Sequence, residues 1–300
     1  MKALKNIALF GFLVLITSTA VAQHPTKSDA HLAYKQGNLE EAKSLIDQVV
    51  TQEDYLQDPE AWLIRGYVYM DVFKEIDKAD PLSASRSTAL ESLYNAIQYD
   101  AEKKNSKNAA EAFNYLTTTL YNDAARSLNN MNDEQAISLF NDFVKAERRL
   151  NPDKDLTEKT IEFKNALGTV YTKKIRQERD LKWFNKATDV YEDVLVMDPD
   201  NYGANYNMAT LYYNRGVQNI FTISPENDIP SIREIQYASK EFFILSMPYM
   251  LKAHELRPER KETLIGLEGI YYSLQDTKKS EYYRSLYEKI LEKEQQQQDK

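Results

Sequence analysis

The chain contains no cysteine in its 300 residues. That excludes disulfide scaffolds, thiolate metal sites and cysteine nucleophiles, and it leaves packing alone to hold the fold. Glycine and proline are scarce, at 8 and 9 residues. Both are costly in helix interiors, by ~1 and ~3 kcal/mol, so their rarity beside abundant Ala, Leu, Glu, Lys and Gln points to an all-α chain. The three histidines, His24, His31 and His254, are far apart and have no spaced partners of the kind a metal site needs. No Gly-rich phosphate loop, nucleophile elbow or His-Glu-x-x-His occurs. Positive charge is in deficit, with a formal net charge of −8. This argues against general nucleic-acid binding, which requires a basic field to neutralise phosphates.

Long apolar runs are missing except at the amino terminus. There Lys2 and Lys5 precede an apolar run from Ile7 to Ile16, then Thr17-Ser18-Thr19 and the small-residue stretch Ala20-Val21-Ala22. This order predicts a secretory signal peptide over residues 1–22, cleaved before Gln23. The run is well short of the ~20 apolar residues a spanning helix needs. With no cysteine after it for lipid attachment, the mature chain is expected to be periplasmic or secreted, without a membrane span.

What is present is a recurring joint. In Pro59 to Tyr69, Trp62, Gly66 and Tyr69 fall on one helical face, with the glycine as a notch between two aromatics. Similar notches recur at Gly168 with Tyr171, at Ala209 with Tyr212, and at Leu267 with Tyr271. Each is followed by a second amphipathic helix, usually carrying a small residue, although the one after Tyr271 has no alanine. Ala89 stands before Leu93 and Ala96, Ala136 before Phe140 and Phe143, and Ala187 before Tyr191 and Val194. Several of these helices stop at a proline, as at Asn151-Pro152 and Asp198-Pro199.

A helix-turn-helix with an aromatic, Gly-notched first helix and an Ala…Phe…Pro second helix resembles the tetratricopeptide repeat. The resemblance implies a right-handed α-solenoid of antiparallel helix hairpins in five to six degenerate units, over residues 23–291. Residues 292–300 read as a polar tail, and residues 217–245 as an insertion in the fifth unit, with Pro225 and Pro230 in its loop. A helix from about Ser231 to Leu256 is expected to bend at Pro248. Trp62, Gly66, Tyr69, Ala89, Ala136, Gly168, Tyr171, Ala187, Ala209 and Tyr212 are assigned to repeat packing, the small residues letting helices approach closely.

In such repeats the first helices line a concave groove. By that resemblance Tyr67, Met70, Asp71, Tyr121, Thr172, Lys173, Tyr206, Tyr213, Asn214 and Tyr272 are candidates to meet a ligand. Lys173, Lys174, Arg176, Arg179, Lys182 and Lys186 surround Trp183 and read as a solvated helix end diluted by Glu178 and Asp180. Asp198 to Gly203 looks superficially like a calcium loop, but Ala209 stands where the bidentate carboxylate belongs. An active site within Val217 to Phe243 would have Glu226, Asp228 and Glu234 without a partner set. The expected function is therefore an exported scaffold that binds a protein or peptide in the cell envelope, with no catalysis, cofactor or metal. The alternative is a glycan- or small-ligand-binding protein using a tyrosine-rich groove.

Overall fold

The computed structural model describes residues 24–178 and 180–298. The expected signal peptide over 1–22 lies outside them. Among the described residues there are twelve α-helices: α1 (Lys27–Lys35), α2 (Leu39–Val49), α3 (Pro59–Asp71), α4 (Ala84–Tyr99), α5 (Ser106–Asn129), α6 (Asp133–Leu150), α7 (Thr157–Glu178), α8 (Leu181–Met197), α9 (Tyr202–Ile220), α10 (Ile229–Leu256), α11 (Lys261–Ser273) and α12 (Thr277–Gln298). No strand occurs among the described residues. The fold is all-α and built of consecutive helical hairpins. Helices pack most extensively within the pairs α1/α2, α3/α4, α7/α8, α9/α10 and α11/α12, and less across α2/α3, α8/α9 and α10/α11.

The local sequence sets the helix ends. Asp58, Asn132, Asp180, Asn201 and Asp228 each accept a backbone N–H at a helix start, satisfying donors that have no partner within the helix. Thr26 and Asp29 form a reciprocal capping box on α1. Gly37, at φ +79°, makes the turn between α1 and α2 in a conformation open to glycine. The longer connection after α3 begins as a π-helical turn over Val72–Ile76 and passes through Lys78 and Ala79 at positive φ.

The chain divides into two compact units at Asn114/Tyr115, within α5. In the first, Ala42, Ile46 and Val49 of α2 pack with Ala61, Ile64 and Val68 of α3. Gly66 receives Leu93 of α4, so a Cβ there would stand 2.6 Å from Leu93 Cδ2. Beside it, Arg65 donates to Asp47 Oδ1 at 2.8 Å and to Ser92 at 2.9 Å, tying α3 to α2 and α4. Tyr69 donates to the other oxygen of Asp47 at 2.7 Å. Ala89 is fully buried on α4.

The second unit repeats the device with larger fillers. Tyr191 of α8 occupies the notch of Gly168, and Phe243 of α10 that of Gly216, with hypothetical Cβ distances of 2.5 and 2.6 Å. Met250 of α10 meets Gly266 of α11. Phe140 of α6 stacks on Phe163 of α7 with ring centroids 4.1 Å apart. Ala136, Ala187 and Ala209 are fully buried. Tyr212 is half-buried against Tyr249 and Phe242 of α10. The α9/α10 hairpin is extended by the segment around Phe221 to Asp228, and α10 starts at Ile229 and continues through Pro248.

Candidate functional site

Of the ten residues nominated for a groove, Tyr67, Met70 and Asp71 lie in the first unit and the other seven in the second. Tyr67 and Met70 are half-buried on α3, and Tyr67 ionises later than usual because of its burial and the nearby Glu111 charge. Asp71 accepts the Tyr34 hydroxyl at 2.6 Å, an α1–α3 tie. Tyr121 packs on Phe143 at 5.3 Å, and burial together with a bond to Glu162 raises its pKa. Tyr206 stacks on Tyr202 at 6.0 Å. Tyr213 packs on Phe243 and its hydroxyl abuts Gly269. Tyr272 is 73% exposed on α11, and Lys173 is exposed on α7. These side chains lie on different helices and in both units.

Thr172 and Asn214 do belong to a common concavity. Where α7 ends, α8 begins and α9 ends, two adjoining cavities of about 600 and 270 Å³ share Ile175, Arg176, Phe184, Arg215, Gln218 and Phe221 as walls. Thr172, Leu211, Asn214 and Val217 line the smaller one, and Asp180, Leu181, Asn219 and Thr222 the larger. Helices position all of this lining except the α7–α8 turn and the first residues after α9. A volume in this range suits a ligand-sized group or a few peptide side chains.

The electrostatics of the groove are uneven. Its one lining carboxylate, Asp180, caps α8 through the Lys182 N–H and pairs with Lys182 Nζ at 3.1 Å. Both contacts hold its carboxyl below the usual range. Arg215 lies over the Phe242 ring at 6.0 Å, and neither it nor Arg176 has a carboxylate partner among the described residues. Phe221 is 82% and Leu181 54% exposed, so the rim is apolar and wet. No tyrosine is among the lining residues.

Next to the groove, Lys173, Arg176, Lys182 and Lys186 are exposed, as expected of a solvated helix end, but the Trp183 they surround is not. It is buried, stacks on Tyr171 at 5.5 Å and donates its indole N–H to Glu178 at 2.6 Å. Lys174, Lys182 and Lys186 lie over its ring at 4.3–4.8 Å. Lys174 also pairs with Asp133, and both of those side chains are largely buried. The indole is a desolvated surface that gathers ammonium groups, a cation–π arrangement.

Sequence reasoning missed Phe184, Arg215, Gln218 and Phe221. The available signal was the apolar end of α9, Val217-Gln218-Asn219-Ile220-Phe221, running out into an insertion with arginine one turn back. Among the described residues no group of His, Asp and Glu is placed to hold a metal, and no helix is long and apolar enough to cross a membrane.

A scan against models of known protein families matches nothing, and no curated protein matches the sequence. Among solved structures, the chain is similar to a monomeric mutant of IFIT1 with Gppp-AAAA, at 13% identity and a TM-score of 0.40. It is also similar to a human IFIT1 dimer with PPP-AAAA, at 14% identity and a TM-score of 0.33. The alignments cover 86% and 87% of this chain but 58% of each IFIT1 chain. A likeness of this size carries no argument about what this chain binds.

Proposed function

We propose that this chain is a non-catalytic binding scaffold that holds an extended segment of a protein partner in the α7–α8–α9 groove. The carrying observation is the pairing there of exposed apolar walls, Leu181 and Phe221, with two guanidinium groups that no carboxylate among the described residues engages. Rigid helices hold these groups, so little conformational entropy is lost on their side when a ligand binds. Lining amides and hydroxyls, Asn214, Gln218 and Thr222, offer donors and acceptors to an extended backbone. The tyrosine-based glycan reading has less support, because no tyrosine is among the residues lining this groove.

Selection of a displayed random-peptide library on the purified chain tests this. The expected result is an enriched set whose binding is lost in Phe221→Asp and in Phe184→Ala. No enrichment, or enrichment indifferent to both substitutions, overturns the reading.

Export to the cell envelope belongs to the same proposal and rests on the amino-terminal sequence pattern alone. Amino-terminal sequencing of the protein from fractionated cells is expected to begin at Gln23. A chain that retains Met1 in the cytoplasm removes the envelope part of the proposal and leaves the groove part standing.

A further inference from the structure

We infer that the segment the groove accepts is acidic: an extended peptide with an aromatic or branched aliphatic side chain flanked by carboxylates. This rests on the peptide-groove reading above and adds the chemistry of the occupant. The argument is one of charge complementarity. Arg176 and Arg215 face one concavity from α7 and α9, and among the described residues neither is paired with a carboxylate. The acids nearest to Arg176 in sequence are already engaged. Asp180 is held by the Lys182 N–H and ammonium, and Glu178 by the Trp183 indole and Lys182.

Guanidinium groups bind carboxylates through paired N–H donors, and such bonds strengthen where an apolar wall excludes water. Leu181, Phe184 and Phe221 supply that wall and a place for one large apolar side chain. A nucleic acid has the opposite demand, a basic stripe that follows many phosphates. Here Asp180 interrupts the rim, and apart from it and the two arginines the lining is uncharged.

The enriched peptides of the display experiment supply the test. Their Asp and Glu content should exceed that of the input library on either side of an aromatic or branched residue. Changing those carboxylates to Gln or Asn should weaken binding by about tenfold or more, as loss of a charge-assisted bond implies. The charge-reversed chain, Arg176→Glu with Arg215→Glu, should instead enrich peptides rich in Lys and Arg. Arg176→Gln with Arg215→Gln should bind both kinds weakly. Circular dichroism melts of each variant confirm folding, since both arginines line the surface.

An enriched set that depends on the groove but shows no acidic preference overturns this inference and leaves the scaffold reading intact. An enriched set indifferent to Phe221→Asp overturns both. Displacement of the acidic peptides by a single-stranded oligouridine at lower concentration than by free peptide would show that nucleic acid is the better occupant, and this too overturns the inference.

Discussion

The ring of Tyr191 closes over the Cα of Gly168, so that a Cβ on that glycine would stand 2.5 Å from Tyr191 Cζ and 2.6 Å from Cε1. Tyr191 is fully buried and has nowhere to retreat. Gly168→Ala gains helix propensity of ~1 kcal/mol but must displace an aromatic ring, and overpacking of this kind costs ~1–3 kcal/mol. The net expectation is destabilisation, read as a lower urea midpoint. Tyr191→Leu on the Gly168→Ala background should recover part of the loss, so a double-mutant cycle shows coupling. An additive cycle contradicts the contact.

This joint marks the limit of what the sequence reveals. Gly66 and Gly168 are legible because each lies on a single helix at helical spacing from its aromatic neighbours. The side chains that fill the notches, Leu93, Tyr191, Phe243 and Met250, come from other helices, where no local period announces the pairing. Arg176 lay in a charged run, and such runs are ordinarily solvated faces. Its relation to Arg215 exists only because α7 and α9 are brought to one concavity. Phe221 stands just beyond α9, at the start of the inserted loop, and is exposed there. The division inside α5 has no compositional sign at all, since the helix simply continues across it.

Arg65 gathers four partners in the first unit: Asp47, Ser92 and the faces of Trp62 and Tyr69, the last at 4.8 Å. Arg65→Met keeps much of the aliphatic stem but removes both hydrogen bonds. The half-buried Asp47 then retains only the Tyr69 hydroxyl. A loss of ~1–3 kcal/mol is expected from hydrogen bonds to charged groups. Hydrogen exchange should show faster opening of α2, α3 and α4, with α7 to α12 unchanged, as expected when damage in a repeat array stays close to its origin. Equal acceleration throughout the chain would count against that locality.

His254 introduces a pH dependence of definite sign. Its Nδ1 is buried without a hydrogen-bond partner among the described residues, and its ring meets the Tyr283 ring edge-on at 5.6 Å. Burial lowers its pKa below the ordinary 6.5. The unfolded chain therefore takes up a proton as pH falls through 6.5, while the folded chain resists until lower pH. Stability from this site is complete above about 6.5 and declines as pH falls toward and through the depressed folded value. Urea melts at neutral and mildly acidic pH are expected to show a drop that His254→Phe reduces. An undiminished drop in that variant shows that His254 is not its source.

Asp133 at the start of α6 and Lys174 of α7 form an ion pair whose side chains are only 6% and 14% exposed. The same ammonium lies 4.3 Å from the Trp183 ring centroid. Tyr171 stacks on that indole, and its pKa is pushed up to about 12, first by burial and then by the Asp133 charge. Lys174→Met leaves a buried carboxylate beside a tyrosine hydroxyl with no cation, and loss of one partner of a buried pair costs ~3–5 kcal/mol. Replacing both partners by apolar residues of similar volume is often neutral, so Asp133→Leu with Lys174→Met should recover most of the stability. Trp183 fluorescence follows both variants directly, because removal of the ammonium changes the field on its ring even where the fold persists. If Lys174→Met alone proves as stable as the wild type, the pair is a surface contact, and Trp183 owes its position to Tyr171 and Glu178.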